Sequence, residues 1–250
     1  NGQFDGIIGY KPAHLVSVAD RGTKLTLKEL CVDLGMTGEE AKKLITIGDP
    51  VVFFPTVTEL ANSRISAPGC DNRVGLFTIM EAARIFSEKL GGKKHDVACY
   101  AVSTVQEEIG LRGAQTACFS VDPQVGIAVD VGHASDYPAV DAKEIGVLEL
   151  GKGPAIAKGP NINPVVRTML VSGAKEAKLP FQPAGQPRAT GTDANAMQVS
   201  RAGVAAALLS IPNRYMHTQV EVVDLRDLVT TAEIIAEFML SVDKKTSFIP

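Results

Sequence analysis

The feature that most constrains this chain is a change of periodicity after Ser63, where short apolar runs give way to amphipathic helices alternating with apolar stretches. Leu76, Ile79, Met80, Ala83, Phe86 and Leu90 recur at three- and four-residue spacing, with Glu81, Arg84, Glu88 and Lys89 off the stripe. Such spacing makes one face of a 3.6-residue helix apolar, and Gly91-Gly92 supplies the left-handed conformation that ends it. Residues 97–104, 126–131 and 204–211 read as buried strands. A last helix starts at Asp224 as N-cap and turns Leu225, Leu228, Val229, Ala232, Ile235, Ala236 and Met239 to the core. Strands that are apolar throughout, separated by helices, predict an α/β fold whose sheet is covered on both faces.

Upstream of about residue 61 the pattern is different. Ile7-Ile8, residues 30–34 and residues 51–54 are short apolar runs set between Gly, Pro and charged stretches, which predicts a small β-rich unit. One helix is expected over residues 38–45, with Glu39 and Glu40 at its positive start and Lys42 and Lys43 following.

Composition narrows the chemistry. A net charge of -3 gives no basic stripe to drive nucleic-acid binding, and no apolar run approaches the ~20 residues a bilayer requires. Small molecules or peptides are the expected partners. Cys31, Cys70, Cys99 and Cys118 are scattered and form no CxxC pair, which points to a reducing, cytoplasmic compartment. Any metal would then be held by carboxylates and histidine. The sequence opens without Met in text that reads as a strand already under way, so Asn1 is expected not to be the natural start.

In open α/β sheets ligands bind beyond the carboxyl ends of strands, so acids placed there carry information. Glu107 and Glu108 follow the expected strand 97–104, where two adjacent carboxylates repel unless a cation compensates; capping a helix start is the alternative. Asp130 closes the expected strand 126–129, where it could also begin a turn. Asp71 precedes the long helix and could be its N-cap, and His217 follows the third strand. Singly each has a structural explanation. Together, carboxylates at three such places and an imidazole, at strand and helix ends, form the donor set of a hydrolytic metal pair.

The text Asp71-Asn72-Arg73-Val74-Gly75, the run from Val105 through Glu107-Glu108 to Ala114, Val129-Asp130-Val131, Gly191-Thr192-Asp193-Ala194, and Arg214-Tyr215-Met216-His217-Thr218 leading into Glu221 resembles the TET-type dinuclear-metal aminopeptidases, the group that includes glutamyl aminopeptidases and so-called cellulase M proteins. The resemblance implies a mixed sheet flanked by helices, of the zinc exopeptidase type. A β-rich lid and oligomerisation domain would end near residue 61, and the catalytic domain would occupy residues 62–250. It implies two divalent ions, zinc or cobalt, with Asp71 bridging them. Glu108 would hold one ion, and Asp130 with His217 the other. Glu107 would be the general base, Gly191, Thr192 and Asp193 would line the substrate pocket, and the Asp71-Asn72 peptide would be cis. A dodecameric homo-oligomer is the family's assembly. The family's first His ligand, in a His-x-Asp motif, would lie before Asn1, leaving one metal position incomplete, with His133 the nearest substitute. Two other functions stay open at this point: a glycoside hydrolase, disfavoured by the absence of Trp, and a catalytically silent scaffold.

Overall fold

The computed structural model describes residues 2–18, 20, 22–138 and 140–250, and divides into two compact units, residues 1–52 and 53–250. That division falls ahead of the expected boundary at 61/62.

In the first unit, β1 (Ile7–Gly9) pairs antiparallel with β2 (Cys31–Asp33), setting Ile8 opposite Val32. The expected helix forms as α1 (Gly38–Leu44). Its start is fixed by a capping box: the Glu40 carboxylate accepts the Thr37 amide at 2.8 Å while the Thr37 hydroxyl accepts the Glu40 amide at 3.3 Å. Residues 51–54 form no strand, and no described residue of this unit is buried.

The second unit runs β3 (Thr58–Leu60), β4 (Arg64–Ser66), α2 (Cys70–Leu90), α3 (Arg112–Val121), β5 (Val125–His133), α4 (Ala142–Ile145), β6 (Ala155–Lys158), α5 (Pro164–Glu176), β7 (Gln182–Gly185), α6 (Asp193–Gln198), β8 (Ala205–Asn213), β9 (Val222–Asp224) and α7 (Leu225–Ser241). The main sheet has the order β5-β8-β6-β7, with β5 parallel to β8, β6 antiparallel to β8, and β7 parallel to β6. It is a mixed sheet flanked by helices. A smaller antiparallel sheet, β3-β4-β9, leads into α2 and α7.

Alternation along β5 and β8 separates two apolar layers. Val129, Val131, Leu209 and Ile211 pack with α2, α5 and α7, whereas Ala128 and Leu208 face Ala194 and Met197 of α6. Leu209 is fully buried, and such a side chain contributes roughly 1.5–3 kcal/mol by leaving water.

Three expectations need correction. Residues 97–104 form no strand and are largely exposed; an apolar run becomes a strand only where a neighbouring strand takes its hydrogen bonds, and none does so among the described residues. The core face of α2 is Val74, Thr78, Ala82 and Phe86, so Leu76 and Met80 of the expected stripe are exposed, as are Leu225 and Val229 of α7. Asp130 does not end its strand but sits within β5, which continues to His133.

Candidate active site

Asp71 is set by the turn that joins β4 to α2. Gly69 adopts φ 69°, and Asp71 and Asn72 have non-helical torsions across a cis peptide, as the resemblance implied. Asn72 does the capping: its Oδ1 accepts the Gly75 amide at 3.1 Å, and its Nδ2 donates to the Val129 carbonyl at 2.7 Å. A side chain at Gly75 would meet Asn72 Oδ1 at 2.2 Å and the Val129 carbonyl at 2.7 Å, so glycine is what lets α2 lie this close to β5. The Asp71 carboxylate, relieved of capping, faces His217 instead, with Oδ2 3.1 Å from Nε2.

Glu107 and Glu108 occupy the turn before α3. Neither caps that helix, whose N-cap is Leu111 without a side-chain hydrogen bond. The turn is anchored from behind: the Gly113 amide donates to the Val105 carbonyl at 2.8 Å, and a Cβ at Gly113 would strike the Val105 amide nitrogen at 2.3 Å. His217 is delivered by the segment that follows β8. Tyr215 and His217 both hold positive φ, 58° and 62°. Arg214 grips Asp136 with two hydrogen bonds at 2.8 and 2.7 Å, and the Tyr137 and Tyr215 rings meet edge-on at 4.7 Å.

The result is a cluster in which donor atoms of Asp71, Glu108 and His217 all lie within 4.8 Å of one another, Glu108 Oε1 standing 3.6 Å from His217 Nε2. Glu108, expected at one ion, and His217, expected at the other, thus lie side by side, while Asp130 stands outside the trio. Asp71, Glu107, Glu108 and Asp130 line both of two adjoining cavities, about 460 and 360 Å³. Thr192 and His133 line the smaller one, Asp193 lines the larger, and Gly191 lines neither. Asp193 is held by Thr104, whose hydroxyl donates to it at 2.6 Å.

The carboxylates disturb one another. Burial, then Asp130 and Glu108, push Asp71 up to about 6, with His217 opposing. Burial first, then the charges of Asp130, Asp193, Glu108 and Asp71, raise Glu107 to about 7. Asp130 is raised as well, chiefly by burial. Two like charges ~5 Å apart at an effective dielectric near 20 repel by about 3 kcal/mol, a cost that a divalent cation reverses. Carboxylate oxygens with one imidazole suit zinc and similar ions, so the residues present fit a metal.

Two contributors receive no side-chain role from the sequence. Asn72 binds the helix start to β5. Glu221, buried at 1% exposure, lies behind the cluster. Asn72 follows Asp71 at a helix start, a position where Asn is a known cap, so a signal for it existed; for Glu221 local pattern offers none.

Residues 1–234 match the family model described as M42 glutamyl aminopeptidase. The chain is 44% identical to the lysyl aminopeptidase of Pyrococcus furiosus, an alignment covering 100% of this chain and 70% of that protein. It superposes on an aminopeptidase from the archaeon Desulfurococcus kamchatkensis with a TM-score of 0.84 at 38% identity, covering 96% of this chain and 66% of that one. A TET1 peptidase of Pyrococcus horikoshii, described as able to assemble into a tetrahedron or a large octahedral shell, aligns with a TM-score of 0.74 at 27% identity, covering 96% and 69%. The chain thus spans about two thirds of the length of these relatives. A family match that takes in the helix start at Asp71, the acidic turn at Glu107-Glu108 and the segment bearing His217 places the chain in the M42 glutamyl aminopeptidase family.

Proposed function

We propose that this chain carries the hydrolytic centre of a metal-dependent aminopeptidase that removes single residues from the N-termini of peptides. The observation behind this reading is the convergence of Asp71, Glu108 and His217 beside a second acid, Glu107, whose affinity for a proton is raised to the neutral range. Asp71, Glu108 and His217 would hold one zinc or cobalt ion, and Asp130 beside Asp71 would serve a second. Bound there, a divalent ion supplies Lewis acidity toward a peptide carbonyl and toward water.

Glu107 is the general base. Burial, the largest of the causes that raise its proton affinity, favours a carboxylate that takes a proton from water and returns it, here to the nitrogen of the departing peptide. Glu107 opens on both cavities, so it can reach a bond lying between them. Thr192 and Asp193, one on each cavity, with Gly191 turning the chain between β7 and α6, wall the substrate. The carboxylates make the site attractive to a free α-ammonium group, which fits cleavage at chain ends.

The exposed apolar residues of the first unit, with the shell-forming TET1 peptidase as a relative, support a homo-oligomer. The four cysteines are all unpaired, which supports a cytoplasmic location.

A panel of aminoacyl-anilides tests the reading. Expected is anilide release that chelator abolishes and zinc or cobalt restores, with N-acetylated analogues refused. Equal cleavage of free and acetylated substrates, or turnover indifferent to chelator, would overturn it.

A further inference from the structure

We infer that Glu221 is a positioning residue that locks Asp71 and His217 into a single arrangement, so that metal affinity depends on a carboxylate that touches no metal. The inference rests on the metal reading above. Glu221 is fully buried immediately before β9, and its backbone carbonyl accepts the Ala67 amide at 3.0 Å, which fixes its place beside the turn that carries Asp71. Its side chain then reaches both ligand segments. Oε2 accepts the backbone amide of Asp71 at 3.3 Å, across 150 positions of sequence, and Oε1 accepts the backbone amide of His217 at 3.3 Å. The Asn213 side chain donates to the same Oε1 at 3.4 Å.

Three features make this arrangement more than ordinary packing. First, Glu221 forms no ion pair with Lys or Arg among the described residues, so a buried carboxylate is held by N–H donors alone. Burying a charge is costly unless its hydrogen bonds are complete, and these donors are what make the burial tolerable. Second, one of the segments it grips has an unusual backbone: His217 sits at φ 62°, a left-handed conformation that persists where the surroundings over-determine it, whereas Asp71, at φ -77° and ψ 107°, is extended. Third, the imidazole itself is more than half exposed, 60%, so side-chain packing does little to aim it. Its ring contacts are the cluster carboxylates of Asp71 and Glu108, and the described anchor on its backbone amide, from outside that cluster, is Glu221. Supporting groups of this kind commonly change metal affinity by 10–100-fold when removed.

Glu221→Gln keeps the volume and one acceptor oxygen but replaces the second acceptor with a donor that clashes with an N–H. The experiment is zinc affinity by competition with a chromophoric chelator, together with the visible spectrum of the cobalt form and the melting temperature of the metal-free chain. Expected is a 10–100-fold weaker zinc affinity and an altered cobalt spectrum in a variant whose metal-free form still melts cooperatively. If the variant does not fold, backbone hydrogen exchange in the metal-free wild type decides: the Asp71 and His217 amides should be protected, and exchange of both at the rate of open loops overturns the inference. A folded variant with wild-type affinity and cobalt spectrum overturns it too, whatever its melting temperature. Wild-type chain that takes up neither ion overturns the metal reading and the inference together, so the two failures are distinguishable.

Discussion

The two units of this chain use apolar residues in opposite ways. In residues 53–250, Val129, Leu209, Ile211 and Ile234 are buried against helices, and every candidate catalytic side chain projects from that frame or from a turn tied to it. In residues 1–52 no described residue is buried, and Ile7 and Val18 are 73% and 79% exposed. A two-stranded ribbon with one short helix cannot bury enough surface to stand by itself. The difference separates two kinds of surface: the second unit holds acids in fixed relation, while the first leaves its apolar side chains exposed, which under the proposed function serve contact with other copies.

The largest effect that sharpens this contrast should come from Leu209→Ala. Truncating a fully buried leucine leaves a cavity and should cost about 2–5 kcal/mol in denaturant unfolding of the second unit. A cost below ~1 kcal/mol would mean that β8 is not the centre of the core.

A smaller effect is expected from the Arg214–Asp136 pair that fixes the segment before His217. Burial opposes ionisation of Asp136, but the Arg214 guanidinium and the Leu150 amide outweigh it and hold the carboxyl below its usual range. Its folded pKa therefore lies below its unfolded value of about 3.9, and the stabilisation is complete above that value and lost as pH falls through the folded one. Asp136→Asn should lower the melting temperature near neutral pH, with the gap to wild type closing in acid. A gap unchanged between neutral pH and pH ~3 would exclude the ion pair as its cause.

The smallest effect on chain stability should come from the first unit. Ile7→Ser removes an exposed side chain and should alter unfolding by no more than ~0.5 kcal/mol, yet shrink the particle seen by light scattering. An unchanged particle, or a wild-type chain that is monomeric at working concentration, would break the assignment of this surface to assembly.

Much of this was legible in the sequence, for identifiable reasons. The helices α2 and α7 and the strands β5 and β8 announce themselves because their periodicity reflects the layers they pack between. The short strands β6 and β7 are not legible, since four residues carry little periodic signal. The helix α5 was missed although Asn163 caps it and Pro164 opens it, a start signal that local chemistry does provide. Residues 97–104 mislead because strand propensity describes how a side chain fits a pleated surface, and among the described residues no strand pairs with this segment, although Val97 packs against the core. At the site, Asp71, Glu107, Glu108 and His217 stood out as acids and an imidazole beside core elements. Which of them lie side by side is not legible, because Glu108 and His217 meet only through tertiary packing. Glu221 carries no local mark at all.

Under the proposed function adjacent acids divide the labour, Glu108 binding metal and Glu107 moving the proton. Zinc titration alongside anilide turnover for wild type, Glu107→Gln and Glu108→Gln tests it most directly. Glu107→Gln should bind zinc as the wild type does while losing turnover by ~10²–10⁴-fold, and Glu108→Gln should lose both. Near-wild-type turnover in Glu107→Gln, or undiminished zinc binding in Glu108→Gln, would contradict the account.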